Sequence, residues 1–259
     1  MKATVGKKID VADALSTSVG IIIQNPIIIL PQLIVSIPTL IFSLFSGTSS
    51  LAVLGVVVDL ISALLTVLVI GAYPLMVKAV LDGGQVSISS AVRRGLGRFW
   101  GILVAGILVG LFVIVGTIAL IVPGIIIATW YAYTIPSIML EDKGALEGMS
   151  ASKAFGRDKK MSTFLMLLVI GAASIIVSVI QVALSFASPV AGRLVSGLLT
   201  IPLGVWIAVI LSYTYIAYGP SSATATTEVP GVIPRYCPNC GKPVQAGSTF
   251  CPNCGSPLT

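Results

Sequence analysis

Six long apolar stretches, alternating with short polar segments, dominate the first 218 residues of the chain. A helix needs about 20 apolar residues to cross a hydrocarbon core of roughly 30 Å. The stretches reach or approach that length, and they cover residues 26–45, 51–73, 100–122, 124–140, 161–186 and 194–218. The pattern therefore predicts an all-α polytopic membrane domain over residues 1–218, with six transmembrane helices.

Short connectors group these spans into three helical hairpins. Pro123 and Gly124 separate the third span from the fourth. Proline lacks the donor that a continuing helix uses and glycine tolerates a tight turn, so this pair predicts a hairpin. The alternative is a single kinked helix over residues 100–140, but it would be about 60 Å long, twice the thickness of the core.

A less apolar segment precedes each hairpin and predicts an interfacial helix. Before the second hairpin the apolar residues recur at helical spacing, at Ile88, Val92, Leu96 and Phe99. Arg94 and Arg98 fall on the opposite face, where they would meet anionic headgroups. The other two segments cover residues 11–22 and 144–160, and the second of these has a poorly defined apolar face. For all three we favour ordinary juxtamembrane helices over a dedicated lipid-recognition role.

The composition agrees with a membrane protein. Hydrophobic residues make up 56% of the chain, mean hydropathy is +1.06, and only 9% of residues are charged. A soluble domain carries about 25% charged residues, so this chain could not form a charged shell. It also contains no histidine, which excludes histidine bases, histidine nucleophile triads and histidine-ligated metal or haem sites.

The basic residues predict the orientation. All but one of the 15, Arg193, lie in the N-terminal segment, the connections 74–99 and 141–160, or the C-terminal tail. With six spans these four segments share one face, which the positive-inside rule assigns to the cytoplasm. We therefore expect a multi-pass plasma-membrane protein with both termini cytoplasmic. Acidic residues Asp10 and Asp13 follow the first lysines, so no cleaved signal peptide is predicted.

The C-terminal residues predict a zinc ribbon with a small β fold over residues 235–259, joined to the membrane domain by a flexible linker at 219–234. Each of two Cys-Pro-Asn-Cys-Gly knuckles presents two sulfurs to one ion, and the ligand set is Cys237, Cys240, Cys251 and Cys254. Four protein ligands make a closed, structural Zn²⁺ site. Two disulfides are the alternative, which a reducing cytosol disfavours.

These knuckles resemble the small zinc-ribbon domains, of rubredoxin-like type, that end many archaeal and bacterial proteins. Arg235 and Lys242 are the only charged side chains after residue 228, and they balance the net charge of four thiolates with Zn²⁺. Phosphate binding needs clustered basic residues, so this charge argues against nucleic acid as the partner. We expect a protein-contact module or a passive cap instead.

The membrane domain resembles a second family. The runs 120–128 (LIVPGIIIA), 131–136 and 141–152, with the basic helix at 86–100, are similar to the membrane domain associated with glycerophosphoryl diester phosphodiesterases and to related six-span proteins. The resemblance implies the fold and not the activity. In such fusions the phosphodiesterase chemistry belongs to a separate soluble barrel domain, and the ribbon is the only soluble module here.

A few polar residues fall within or beside the spans. Asp59 in the second span is either a proton or cation site or a packing residue near the outer interface, and we favour the second interpretation. Gln181 in the fifth span is expected to hydrogen-bond between helices. Glu141, Asp142 and Glu147 could form an acid/base group, but neighbouring lysines make a solvated charged face the preferred interpretation.

Three functional hypotheses follow. We favour a non-enzymatic membrane protein whose helical domain anchors a cytosolic zinc ribbon, with an interaction or scaffold role in a membrane complex. The alternative is a small-solute or lipid transporter or channel that uses Asp59. A lipid-modifying enzyme using Glu141, Asp142 and Glu147 comes last, because nothing in the sequence places a nucleophile or metal beside those carboxylates. The oligomeric state stays open.

Overall fold

A computed structural model describes residues 8–45, 52–187, 189–219, 235–236 and 243–244. Over these residues the helices are α1 (Val11–Gln24), α2 (Leu30–Phe45), α3 (Ala52–Leu81), α4 (Ile88–Gly97), α5 (Phe99–Ala119), α6 (Ile121–Tyr131), α7 (Thr134–Leu140), α8 (Ala145–Asp158), α9 (Lys160–Ala187) and α10 (Pro189–Tyr218). Two short strands, β1 (Arg235–Tyr236) and β2 (Pro243–Val244), pair antiparallel. The linker residues 220–234 lie outside the described part.

Several helices are long and apolar enough to cross a membrane. Five qualify within the described residues, and they are Val53–Leu81, Phe99–Ala119, Ile121–Leu140, Lys160–Phe186 and Gly197–Tyr218. A sixth span results if the bent pair α1–α2 counts as one. Large apolar side chains such as Ile118 and Phe186 are 81% and 89% exposed, as expected when the surrounding solvent is lipid. The chain is therefore a helical multi-pass membrane protein.

The first predicted span does not continue straight from its leading helix. A 3₁₀ turn at Pro26–Ile29 separates α1 from α2, and the two segments are bent by 94°. Pro26 has no N–H to extend the hydrogen-bond ladder of α1, so the helix ends at the preceding residues. α1 instead packs against α10, where the indole of Trp206 donates a 3.0 Å hydrogen bond to Ser18 Oγ.

The hairpin between α5 and α6 turns three residues earlier than predicted. Leu120 adopts an extended conformation (φ −165°, ψ 143°), and Pro123 lies in the first turn of α6. Proline is tolerated there because first-turn N–H groups have no partner within the helix. Gly124 serves close packing instead of the turn, since a Cβ atom would lie 2.9 Å from the backbone N and Cα of Thr117.

The fourth predicted span consists of two helices, α6 and α7. The break between them lies beside α8, and Ser152 satisfies its backbone groups. The Tyr133 N–H donates to Ser152 Oγ at 3.1 Å, and that hydroxyl donates to the carbonyl of Trp130 at 2.9 Å. Non-helical backbone at this position is stable because another helix supplies its hydrogen bonds.

Contacts between distant segments collect the charged residues at one end of the bundle. Tyr213 and Tyr218, in the last turns of α10, donate to Asp13 Oδ2 of α1 at 2.8 and 3.3 Å. Arg98, which follows α4, contacts the loop 141–144. We call this end, formed by α1, α4, the loop 141–144, α8 and the last turns of α10, the charged end. The first helix and the last turns of the last helix therefore lie at the same end of the helical domain.

Candidate functional site

The loop 141–144 is the most heavily cross-linked polar feature of the charged end. Glu141, whose side chain is 15% exposed, accepts a hydrogen bond from the phenol of Tyr215 and pairs with Lys143 Nζ at 2.5 Å. Arg98 Nη2 pairs with Asp142 Oδ1 at 2.5 Å. The same guanidinium donates to the carbonyls of Asp142 and Lys143 at 2.8 and 3.3 Å. The loop is therefore tied to α10 on one side and to the α4–α5 junction on the other.

An aromatic cluster lies beneath this loop. The rings of Tyr133, Phe155 and Tyr215 have centroid separations of 4.7, 5.2 and 6.1 Å. The buried phenol of Tyr133 lies 3.2 Å from Thr163 Oγ1 of α9. Helices α7, α8, α9 and α10 thus meet at one point, and edge-to-face packing of these rings stabilises their arrangement.

Helix α8 approaches α6 and α7 through three small residues spaced four apart. A Cβ atom on Gly156 would lie 2.6 Å from the carbonyl oxygen of Thr129, and one on Gly148 would overlap Ile138 Cγ1. Ser152, between them, makes the two hydrogen bonds at the α6–α7 break. Small residues at this spacing let helices approach closely in a membrane. The sequence contains the signal for this stripe, although it was not among the predicted features.

Gly106, Gly110 and Gly116 are three small residues of α5 that differ in how closely other parts of the protein approach them. Gly116 meets Gly124 across the α5–α6 hairpin, where an added Cβ would lie 3.1 Å from the Gly124 Cα. A Cβ atom added at Gly106 or Gly110, by contrast, would meet nothing within 4 Å. Helix spacing at α5 therefore depends on Gly116 alone among these three.

The three carboxylates proposed as an acid/base group do not act on one another. Asp142 is 87% exposed and faces Arg98. Glu147 Oε2 accepts a 3.1 Å hydrogen bond from the Gly144 N–H at the start of α8, which is a capping interaction. Glu141 differs from the expected solvated charge, because burial and Tyr215 hold it inside the structure. Each carboxylate thus has its own structural partner.

Asp59 does not face the helical bundle. Its side chain lies on the exposed side of α3 with Val56 and Leu60, which are 59% and 60% exposed. It makes no ion pair within the described residues. Seven residues separate it from the start of α3, or about 10 Å along the axis, so it can reach the interface opposite the charged end. Gln181 is half-buried in α9.

The predicted zinc ligands Cys237, Cys240, Cys251 and Cys254 lie outside the described residues. Strands β1 and β2 flank the first knuckle, with Arg235 opposite Val244 and Tyr236 opposite Pro243. In each knuckle of the sequence, two thiols separated by two residues suit one tetrahedral ion. The donor set of four thiolates therefore fits Zn²⁺.

Comparison with known proteins gives one positive result. Residues 236–258 match the zinc-ribbon domain family. The matched segment contains all four cysteines, the whole of β2 and Tyr236 of β1. No curated protein and no solved structure matches the chain. The relationship to the phosphodiesterase-associated membrane domain stays a prediction, as does the identity of the four ligands.

Proposed function

We propose that this chain is a non-enzymatic membrane protein that anchors a structural zinc ribbon at the cytoplasmic face, where the ribbon contacts a protein partner in a membrane complex. The observation that carries the proposal is the zinc-ribbon match at residues 236–258, which follows a helical membrane domain after a short linker. A closed four-thiolate site leaves no open position for substrate, so its role is to fold a small surface.

The attachment of the ribbon to the bundle supports an anchoring role. The last turns of α10 precede the linker, and they are held by Asp13 of α1 and by Glu141 of the loop 141–144. The end of α10 is held in place by these contacts. The Ser-, Thr- and Pro-rich linker that follows it would let the ribbon contact partners at some distance from the bundle.

The electrostatics favour a protein as the partner. The ribbon carries two basic side chains against a site of opposite charge, so it presents no basic surface for a phosphate backbone. We place the ribbon in the cytoplasm because basic residues collect at the charged end, and such residues are retained on that side. Reduced thiols in that compartment bind zinc in preference to forming disulfides.

The proposed function is tested by comparing proteins that co-purify with three forms of the full chain in mild detergent. The forms are wild type, the double variant Cys237→Ser/Cys251→Ser, and the control Ser256→Ala, which leaves every thiol in place. We expect wild type and Ser256→Ala to retain a shared partner that the double variant loses. An identical set of proteins for all three forms would refute a recruiting role, and nuclease-sensitive association would refute the preference for protein.

Asp59 no longer motivates the transporter alternative. That hypothesis required a carboxylate facing the bundle interior, whereas the Asp59 side chain lies on the outer surface of α3.

A further inference from the structure

A polar cleft opens at the charged end, between the last turns of α3, the first turns of α4 and the end of α7. Its volume is about 330 Å³, within the range of small-ligand sites. Polar side chains line one side, and they are Lys78, Asp82, Gln85, Ser87, Ser90 and Arg94. Leu75, Met76 and Met139 form the apolar side. The cleft thus combines hydrogen-bonding groups with an apolar wall.

The charges of this cleft are not satisfied within the described part of the protein. Lys78 and Arg94 are exposed and form no ion pair there, unlike Arg98, Lys143 and Lys159, which each pair with a carboxylate. Asp82 is the one carboxylate among the lining residues. Two cations against one anion leave a net charge of +1, which attracts an anionic ligand from outside.

An apolar groove lies deeper along the same helices. Its volume is about 280 Å³, and its walls come from α3, α5 and α7, including Val67, Ile70, Ile102, Leu103 and Ile107. Gly106 also lines it, and a Cβ atom there would meet nothing within 4 Å. The groove therefore has unfilled space that faces hydrocarbon and not water.

The cleft and the groove lie one after the other along α3. Both border α3 and α7, and Leu75 of the cleft is separated from Ile70 of the groove by about 7.5 Å of helix rise. Ile102, which lines the groove, and Met139, which lines the cleft, both lie close to Gly71, so the two cavities are neighbours. A polar site at the membrane surface beside an apolar groove that lies deeper along α3 matches the amphipathic shape of a phospholipid.

We propose that the cleft binds the headgroup phosphate of an anionic phospholipid and that one acyl chain of the lipid lies along the groove. Lys78 and Arg94 neutralise the phosphate, and the Ser87 hydroxyl, which accepts a hydrogen bond from the Ser90 N–H, donates one to it. Asp82 weakens this binding by repulsion. The same phosphate chemistry could come from free phosphate, which would occupy the cleft and leave the groove empty.

The headgroup contacts are tested by titrating dioleoyl-phosphatidylglycerol, dioleoyl-phosphatidylcholine and inorganic phosphate onto the detergent-solubilised full chain and counting bound molecules by native mass spectrometry. We expect phosphatidylglycerol to bind most tightly. Lys78→Gln and Arg94→Gln should each weaken it about fivefold, as expected for one basic residue at an anionic surface, and Asp82→Asn should strengthen it. Arg93→Gln is the matched control, because Arg93 is an exposed α4 neighbour that does not line the cleft.

The acyl contact is tested with Gly106→Leu, which fills the groove without a backbone clash. We expect it to weaken phosphatidylglycerol and leave any binding of inorganic phosphate unchanged, with an unfolding temperature no lower than that of wild type. Equal losses for Arg93→Gln and Arg94→Gln would overturn the headgroup site in favour of a general surface attraction. Unchanged lipid binding by Gly106→Leu, or inorganic phosphate that binds as tightly as the lipid, would overturn the acyl contact.

Discussion

Tyr215 donates a hydrogen bond to the carboxylate of Glu141, and the two residues are separated by 74 positions in the sequence. This contact joins the last long helix to the loop between α7 and α8. It lies above the Tyr133–Phe155–Tyr215 aromatic cluster, at the point from which α10 leads into the linker. The hydrogen bond therefore connects a buried part of the charged end with the helix that leads into the zinc ribbon.

Removing the Tyr215 hydroxyl should destabilise the bundle. Tyr215→Phe keeps the ring packing but leaves the mostly buried Glu141 without this donor. Hydrogen bonds to charged groups contribute about 1.5–3 kcal/mol, so the midpoint of thermal unfolding in detergent should fall. Tyr73→Phe is the control, since the buried Tyr73 hydroxyl has no hydrogen-bond partner among the described residues. Tyr73→Phe should leave the midpoint unchanged or raise it, and equal losses for the two variants would contradict this account.

The close approach of α8 should make Gly156 intolerant of a side chain. In Gly156→Ala the new Cβ would lie 2.6 Å from the carbonyl oxygen of Thr129. This oxygen belongs to the backbone, so it cannot move aside as a flexible side chain would. Overpacking of this kind costs about 1–3 kcal/mol, measurable as a lower unfolding temperature. Gly171→Ala, also in a helix but with nothing within 4 Å, should be neutral or stabilising because alanine is the better helix former. A similar loss in both variants would mean that helix propensity and not α8 packing decides the effect.

The ribbon should contain one zinc ion per chain. Elemental analysis of the purified protein tests this, and Cys237→Ser should release most of the metal while Ser256→Ala retains it. Zinc-finger peptides gain about 10–16 kcal/mol from the metal, so chelation should unfold the ribbon and free four titratable thiols. The far-UV helical signal should persist, since the bundle contains none of the ligands. Metal-free protein with two disulfides would show that the alternative pairing is correct.

The thiols also report on orientation, because all four cysteines lie in the ribbon. A membrane-impermeant maleimide, added to intact cells after metal removal with a permeant chelator, should leave the protein unlabelled. Labelling should appear once the cells are permeabilised, because the proposed orientation, argued from the basic residues, has the charged end in the cytoplasm. Labelling of intact cells would show that the topology is the reverse of the proposed one. The ribbon would then lie outside the reducing environment on which its zinc binding depends.

Several features were predictable because they depend on residues that are close in the sequence. The helices α4, α5 and α9 follow from apolar spacing and length, and the zinc ribbon follows from two Cys-Pro-Asn-Cys-Gly knuckles. The position of the α5–α6 turn was wrong by three residues, because proline is compatible with the first turn of a helix as well as with its end.

The face of α4 that packs against α3 was not among the predicted features. α4 packs against α3 through Ala91 and Gly95, which the apolar spacing did not single out, while Leu96, expected at the acyl boundary, is 57% exposed. A Cβ atom on Gly95 would lie 3.2 Å from the carbonyl oxygen of Leu68, so a small residue is needed there. Hydrophobicity identifies the face that avoids water, but in a bilayer both lipid and protein accept apolar side chains, and packing selects between them.

The amino-acid sequence by itself determined that the chain is a helical membrane protein with a terminal zinc ribbon, since hydrocarbon thickness and thiol spacing act on short local stretches. Only the tertiary structure decided that α1 bends away from α2, that Ser152 satisfies the broken α6–α7 backbone, and that Glu141 is buried against Tyr215. It also placed Lys78 and Arg94 in one cleft. Apart from the bend at Pro26, these relationships join residues on different helices, and they depend on steric fit and hydrogen-bond satisfaction between helices, which local apolar patterns do not encode.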